Sequence, residues 1–350
     1  MTTDAEIDSV VRQLIAARKD WLCLSTETPI EIEEIDIVAA MRRRGDRFHK
    51  PITVHYRQGG RAGVAELWLK FRPGLDAVYP LLEAYDRRLS DSFLPKPFFS
   101  WHSSEDDSAF IVTERVDGET LRDKLFKEAL FGRADRLVPI FMANGRNMRR
   151  FHEAFDPTGS IPVTSLTQDV RRLVMSSTYI SPHEKPGLLQ HVDRQSAVLE
   201  EVGFLPVLKI HNDWILKNVV VDCRERDHII DCDSMRAPNN LRWYDPVYFL
   251  INIESQLKWS PLVRKGTLSK LWDSFWRGYL EGGLPDHMDH RQIDAAFFLL
   301  RVQYLLGGTI RVPLYEMFGN LPGRRFVKKL KSAVLNGRNS LLADMSGPPH

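Results

Sequence analysis

Asp213, Asn218, Asp231 and Asp233 stand within one short stretch, residues 210–233, and their types and spacing suit metal-assisted chemistry. Asn218 follows Asp213 by five residues, and Asp231 follows it by eighteen. The polar groups adjoin two β-branched runs, Val219-Val220-Val221 and Ile229-Ile230. Such runs read as short buried strands, and the polar residues 222–227 between them read as their turn. A hairpin of this kind places Asp213, Asn218 and Asp231 around one point. Two carboxylates and an amide oxygen suit a hard cation such as Mg²⁺ and leave one carboxylate free as a base. Those are the parts that phosphoryl transfer uses. The carboxylate left free can orient an acceptor hydroxyl and take its proton. Asn218 offers a metal a neutral oxygen, and the other carboxylate an anionic one. Asp233, two residues on, falls on the same side of an extended backbone as Asp231 and joins it as a metal ligand.

The elements that must position these residues begin upstream, where the sequence reads as strands. Residues 30–38 alternate apolar and mostly acidic, residues 52–56 form a second run, and residues 64–71 form a third with Lys70 near its end. Gln58-Gly59-Gly60-Arg61-Ala62-Gly63 is the hairpin turn between the last two. Ahead of them, Ile7, Val10, Val11, Leu14 and Ile15 fall at helical spacing within residues 4–19. That segment has an acidic start and a basic end, which match a helix dipole. Residues 76–89 are helical in pattern, with Glu83 as their only glutamate, and residues 109–116 read as another strand. From residue 118 onward the pattern turns helical, with helices expected over 134–155, 165–176, 181–203, 246–257, 262–279, 291–306 and 323–342.

The totals fit a chain with a substantial core. Of 350 residues, 43% are hydrophobic and 10% aromatic, enough for one large domain or two lobes. The formal net charge of +2 gives no reason to expect nucleic acid as a partner. Cys23, Cys223 and Cys232 have no metal spacing and form no disulfide framework, which fits a reducing, cytoplasmic location. The polar N-terminus does not read as a signal peptide. The longest apolar run, Ala295-Ala296-Phe297-Phe298-Leu299-Leu300, is far short of the roughly 20 residues that span a bilayer. No integral membrane segment is expected.

The stretch around Asp213 resembles the catalytic loop and metal aspartate of the protein-kinase-like superfamily. It is most similar to the aminoglycoside/choline phosphotransferase-like small-molecule kinases. They carry His-Gly-Asp, an Asn five residues after that Asp, and then Ile-Asp-Trp-(Glu/Asp). The counterparts here are His211-Asn212-Asp213, Asn218 and Ile230-Asp231-Cys232-Asp233, and Asp245-Pro246 matches the family's Asp-Pro after the metal site. Asn212 in place of Gly and Cys232 in place of Trp are departures. The resemblance covers roughly residues 30–255. It implies an α+β, bilobal protein-kinase-like fold, with an antiparallel β-sheet N-lobe over residues 1–116 and a mainly helical C-lobe over 117–350 that carries a catalytic hairpin at 210–233.

The resemblance also implies the remaining parts of a nucleotide site. Lys70 would bind the α- and β-phosphates and pair with Glu83 on the next helix. Backbone groups of Glu114, Arg115 and Val116 would form the hinge that hydrogen-bonds the base of the nucleotide. The phosphate-covering loop would lie between the first two strands, residues 42–50, where Gly45 is the only glycine. A loop with one glycine offers few close backbone N–H groups, which neighbouring arginines could supplement. Asp213 would be the base, Asn218 and Asp231 would hold the metal with Asp233 beside them, and His211 and Asp245 would brace the catalytic loop. Only eleven residues separate Asp233 from Asp245, too few for the activation segment of a protein kinase. The expected activity is transfer of the γ-phosphate of ATP or GTP, with Mg²⁺, to a hydroxyl of a small molecule such as an aminoglycoside, sugar, nucleoside or amino alcohol. Two alternatives stay open. One is a kinase of a membrane-linked saccharide, since residues 323–331 open a basic amphipathic helix suited to peripheral membrane contact. The other is a nucleotide-binding pseudokinase module.

Overall fold

The computed structural model describes residues 4–18, 29–39, 42–44, 47–89, 93–105, 107–177, 180–257 and 266–311. Helix α1 spans Asp4–Ala17, with Ile7, Val11 and Ile15 buried along one stripe. The strands of the N-terminal sheet are β1 (Ile30–Ile37), β2 (Arg42–Arg44), β3 (Arg47–Gln58), β4 (Arg61–Phe71), β5 (Pro97–His102) and β6 (Ala109–Glu114), with α2 (Tyr79–Arg88) between β4 and β5. The chain continues through β7 (Glu119–Thr120), α3 (Leu121–Leu130), α4 (Val138–Glu153), β8 (Gly159–Pro162), α5 (Val163–Ser176), α6 (Lys185–Glu200) and β9 (Phe204–Leu208). It ends with β10 (Val219–Val221), β11 (Asp227–Ile229), β12 (Asn240–Leu241), α7 (Tyr244–Leu257), α8 (Thr267–Tyr279) and α9 (His290–Arg311).

These elements form two compact units, residues 1–119 with 220–236, and residues 120–219 with 237–350. The segment that carries Asp231 and Asp233 therefore groups with the sheet rather than with the helices. Backbone and side-chain hydrogen bonds fasten it there, from Ile229 N to the Phe93 carbonyl at 2.8 Å and from Arg236 Nη1 to the Pro73 carbonyl at 2.9 Å.

In the first unit the sheet runs in the order β1-β3-β4-β6-β5, with β2 added beside β3. The pairs are antiparallel. Gly59 and Gly60, at φ +57° and +79°, turn β3 into β4, a conformation that side chains disfavour and that tight hairpins need. The buried stripe of α1 packs into a core with Ile30, Phe48, Ile52, Val54, Leu67 and Leu69. This unit corrects one expectation. Residues 42–44 and 47–50 are not a loop but the two arms of the β2–β3 hairpin, in which Arg42 pairs with His49 and Arg44 with Arg47. Two side chains hold the β3 arm in the sheet. Phe48 stacks on Phe71 at 4.6 Å, and the buried Lys50 ammonium is paired with Asp8 of α1 at 2.6 Å. Gly45 lies outside the described residues.

The second unit is built from helices and one small sheet, in the order β12-β9-β8, whose strands are too short to have shown a sequence period. Its core is aromatic, with Trp214, Trp243, Trp276, Tyr279, Phe141 and Phe249 almost wholly buried. Helices α4 and α8 approach closely through glycine. A Cβ on Gly145 would collide with the Phe275 carbonyl, and one on Gly278 with the Met142 carbonyl. The apolar run 295–300 is buried in α9. The basic segment 323–331 lies outside the described residues, as does the rest of 312–350. Among the described residues no helix is long and apolar enough to cross a membrane.

Candidate active site

Lys70 projects from β4 into a cleft of about 330 Å³ in the first unit. Its side chain is 12% exposed, and its Nζ lies 2.8 Å from Asp231 Oδ1 and 3.3 Å from Asp233 Oδ1. Burial alone would disfavour the ammonium, but the charges of Asp233 and Asp231 outweigh it and hold the Lys70 pKa above its ordinary value. The two carboxylates reach this one ammonium without a continued strand. Asp231 sits at φ +63°, a left-handed conformation uncommon for a residue with a side chain, and the 3₁₀ turn Cys232–Arg236 follows at once. Asp233 also lies 3.7 Å from Arg72 Nη1.

The expected Lys70–Glu83 ion pair is not formed. Glu83 Oε1 instead lies 2.8 Å from the Tyr79 hydroxyl, one helical turn earlier in α2. Burial and then Glu83 push the Tyr79 hydroxyl up to about 12, so it stays a donor. Lys70, flanked by two nearer carboxylates, has its charge met elsewhere.

Glu114, Arg115 and Val116 line the same cleft, with Trp68, Leu82 and Cys232 among its walls. Their backbone groups are not equivalent. The Glu114 amide donates to the Lys96 carbonyl at 2.8 Å, and the Arg115 amide donates to the Glu66 carbonyl at 3.0 Å. Among the described residues the Val116 amide has no such partner. The Arg115 guanidinium is held by Glu66 at 3.1 Å and Asp117 at 3.0 Å. Burial pushes the Cys232 thiol up to about 12, so it stands in the cleft wall as a neutral, apolar group at the position where the family that the sequence resembles carries Trp. The turn between β10 and β11 is locked by Asp222. Its carboxylate accepts from the amides of Arg224 and Arg226, at 2.8 and 2.9 Å, and from Arg226 Nε at 2.8 Å.

The second unit holds the loop of Asp213. The first turn of α7 supplies Asp245, fully buried, whose carboxylate accepts from the amides of His211 at 2.8 Å and Asn212 at 2.9 Å. His152 Nε2 lies 3.2 Å from the same carboxylate, and its Nδ1 lies 2.9 Å from the Tyr279 hydroxyl. Burial depresses the His152 pKa, which keeps the ring neutral. Asp245 thus clamps the backbone that precedes Asp213. Asn212 lies at φ +63°, a region that Asn tolerates better than most residues, which explains how it replaces the family's Gly. Asn218 is buried, and its Nδ2 donates to both the Asp213 carbonyl and Asp213 Oδ2 at 2.9 Å. That assignment turns Asn218 Oδ1 away from Asp213, as an oxygen with no partner among the described residues.

Tyr248 is a group that the sequence reading missed. Its hydroxyl hydrogen-bonds to Asp213, and burial followed by the Asp213 charge pushes its pKa up to about 12. Its ring packs 4.8 Å from that of Tyr304 and 6.3 Å from that of Tyr244. The available signal was a tyrosine pair one helical turn apart, directly beside Asp245-Pro246.

The sheet unit therefore gathers Lys70, Asp231, Asp233, Glu114, Arg115 and Val116 at one cleft. The helical unit gathers Asp213, Asn218, His211 and Asp245 in one hydrogen-bonded loop. The first set can hold the phosphates and base of a nucleotide. The second can orient a carboxylate for proton transfer.

No protein-family model and no curated protein matches the sequence. Solved structures do match. A glucosamine kinase in complex with glucosamine, ADP and inorganic phosphate aligns with a TM-score of 0.58 at 14% identity, over 97% of this chain and 88% of that one. Crystal form B of glucosamine kinase aligns with a TM-score of 0.54 at 13% identity, over 93% of this chain and 99% of that one. The resemblance carried by His211, Asp213, Asn218 and Asp231 and the likeness of the backbones agree. The chain has the α+β, protein-kinase-like fold of the glucosamine kinase structures.

Proposed function

We propose that the protein is an ATP-dependent small-molecule kinase that moves the γ-phosphate to an acceptor hydroxyl. The observation that carries this reading is the Lys70–Asp231–Asp233 cluster, beside a cleft that Lys70 and Asp231 line together with Glu114, Arg115 and Val116. A cation and two carboxylates beside a backbone donor are the fittings of a nucleotide with its metal, and the fold of the glucosamine kinase structures supports them.

In this reading Val116 offers its amide to the base of the nucleotide, and Lys70 neutralises the α- and β-phosphates. The donor set fits Mg²⁺, being all oxygen, with two carboxylates and one neutral amide. Asp231 and Asn218 would hold the ion, with Asp233 beside Asp231. The metal when bound neutralises charge on the phosphates. Asp213 takes the acceptor proton, with its carboxylate oriented by Asn218 and Tyr248. Asp245 fixes the backbone beneath it. The acceptor oxygen attacks the γ-phosphorus as its proton leaves for Asp213, and the bond from that phosphorus to the bridging oxygen breaks and releases ADP. Glu83 has no assigned contact with the nucleotide.

The test is an acceptor screen by ADP release, with Mg²⁺-ATP and a panel of sugars, amino sugars including glucosamine, aminoglycosides, nucleosides and amino alcohols. A hit in wild type should fall by about 100-fold or more in Asp213→Asn, the size expected for loss of a general base. Transfer at the wild-type rate by that variant would show that Asp213 is not the base. Mg²⁺-ATP binding with no transfer to any acceptor would favour the nucleotide-binding module instead.

A further inference from the structure

Three arginines from three elements meet beside the Lys70 cluster. The β3–β4 register ends at the Phe48–Phe71 pair, and Arg47 and Arg72 are the residues next to that pair on the two strands. Arg236, the last residue of the 3₁₀ turn that carries Asp233, is tied to the Pro73 carbonyl by its Nη1, which brings its guanidinium to the same corner. Burial, and then the charge of Arg72, weaken the hold of Arg236 on its proton; Asp233 acts the other way, and Arg47 adds a smaller push in the same direction as Arg72. Among the described residues, Asp233 is the only carboxylate paired with any of the three, 3.7 Å from Arg72, and it is shared with Lys70.

Lys70 and Arg72 therefore share Asp233, Arg236 ends the same 3₁₀ turn, and Arg47 stands next to Arg72 in the register. Like charges placed opposite one another across strands are unfavourable unless something between them is negative. A solvated arginine would normally point away from its neighbours, but the contact with Pro73 keeps Arg236 from doing so. Planar guanidinium groups match phosphate oxygens in pairs. The segment between the first two long strands has one glycine, and its described arms are paired in the β2–β3 hairpin.

We infer that Arg47, Arg72 and Arg236 form a guanidinium site for the phosphates of a polyphosphate, doing here what a glycine-rich loop does with backbone amides. The identity of that polyphosphate as the tail of ATP rests on the proposed kinase activity. The anion site itself rests on the three arginines alone.

Calorimetric binding of inorganic tripolyphosphate, Mg²⁺-ATP and adenosine to wild type, to Arg72→Ala and to an Arg72→Ala/Arg236→Ala double variant tests this. Thermal melting of each variant checks that it is folded. Tripolyphosphate and ATP affinities should fall about 10-fold in Arg72→Ala and further in the double variant, with adenosine unchanged. Arg72→Lys should recover only part of the loss, because an ammonium cannot bind two phosphate oxygens in parallel. Tripolyphosphate that binds the folded double variant as it binds wild type, or that does not bind wild type, overturns the site. If wild type binds tripolyphosphate through these arginines but not ATP, the anion site stands and the kinase reading fails. If ATP binds and is turned over with the arginines dispensable, the kinase reading stands and the anion site fails.

Discussion

Asn212, Asp213 and Tyr248 show how much one residue's setting decides. At φ +63°, Asn212 occupies a conformation that costs most side chains about 1 kcal/mol or more. Asn212→Gly should therefore fold and melt close to wild type. Asn212→Ala should lose about 1 kcal/mol in urea unfolding, although alanine removes no buried bulk. Tyr248 bears on Asp213 through a hydroxyl pushed up to about 12, so it remains a neutral donor across any ordinary assay pH. Tyr248→Phe keeps the ring that packs on Tyr304 and removes the hydroxyl, with its hydrogen bonds to Asp213 and Tyr304. The expected outcome is a kcat about 10-fold lower, with KM for ATP and the melting temperature little changed. An unaltered kcat would leave Tyr248 as packing alone. At this scale the sequence was readable where contacts are local, as with the hydrogen bond between Asp213 and Asn218, five residues apart. It was silent where a partner comes from a distant helix. Nothing near Asp213 announces Tyr248, and nothing near Lys70 says that Asp231 and Asp233 would answer its charge while Tyr79 takes Glu83.

Elements were legible where one face is buried and polar residues mark the other. The stripe of α1 and the glycine turn between β3 and β4 are of this kind. The β2–β3 hairpin was not, because Arg42 to Lys50 reads as a polar, flexible run. The stacking of Phe48 on Phe71 and the pairing of Lys50 with Asp8 add to the backbone pairing with β4 that holds its second arm in the sheet. Close packing of α4 on α8 was likewise invisible, since glycines in helical segments look like weak points rather than contact points. Gly278→Ala tests it. The new methyl group would meet the Met142 carbonyl, a backbone atom with little room to yield. The loss should be about 2–3 kcal/mol in urea unfolding. Alanine is the better helix former, so a neutral or stabilising result would show that the helices can separate at no cost.

For the whole molecule, the change from strand to helical patterning near residue 118 gave the α+β plan. The grouping of 220–236 with the sheet depends on hydrogen bonds to Phe93 and Pro73, more than a hundred residues away, which no local pattern carries. The same long-range burial sets how stability varies with pH, and two carboxylates act in opposite directions. Hydrogen bonds from Arg226, His228 and Arg224 overcome burial and hold Asp222 below the usual carboxylate range. Its contribution is present above about pH 4 and is lost as pH falls below that. Asp294 on α9 is the reverse case. It is half-buried, has no partner among the described residues, and burial pushes its carboxyl up to about 7. Between pH 4 and 7 the folded chain then keeps a proton that the unfolded chain has released, so stability falls as pH rises through that window and levels off above it. Asp294→Asn removes the ionisable group and keeps the shape. Partial exposure discounts the full effect, so the variant should be more stable than wild type by about 1–2 kcal/mol at pH 8. The difference should shrink toward zero by pH 4, read from thermal or urea unfolding at both values. A gain that is equal at pH 4 and pH 8 would assign it to something other than the buried charge. A variant less stable than wild type at pH 8 would mean that the carboxylate is held by favourable contacts, and that the descending arm of the pH profile belongs to another group.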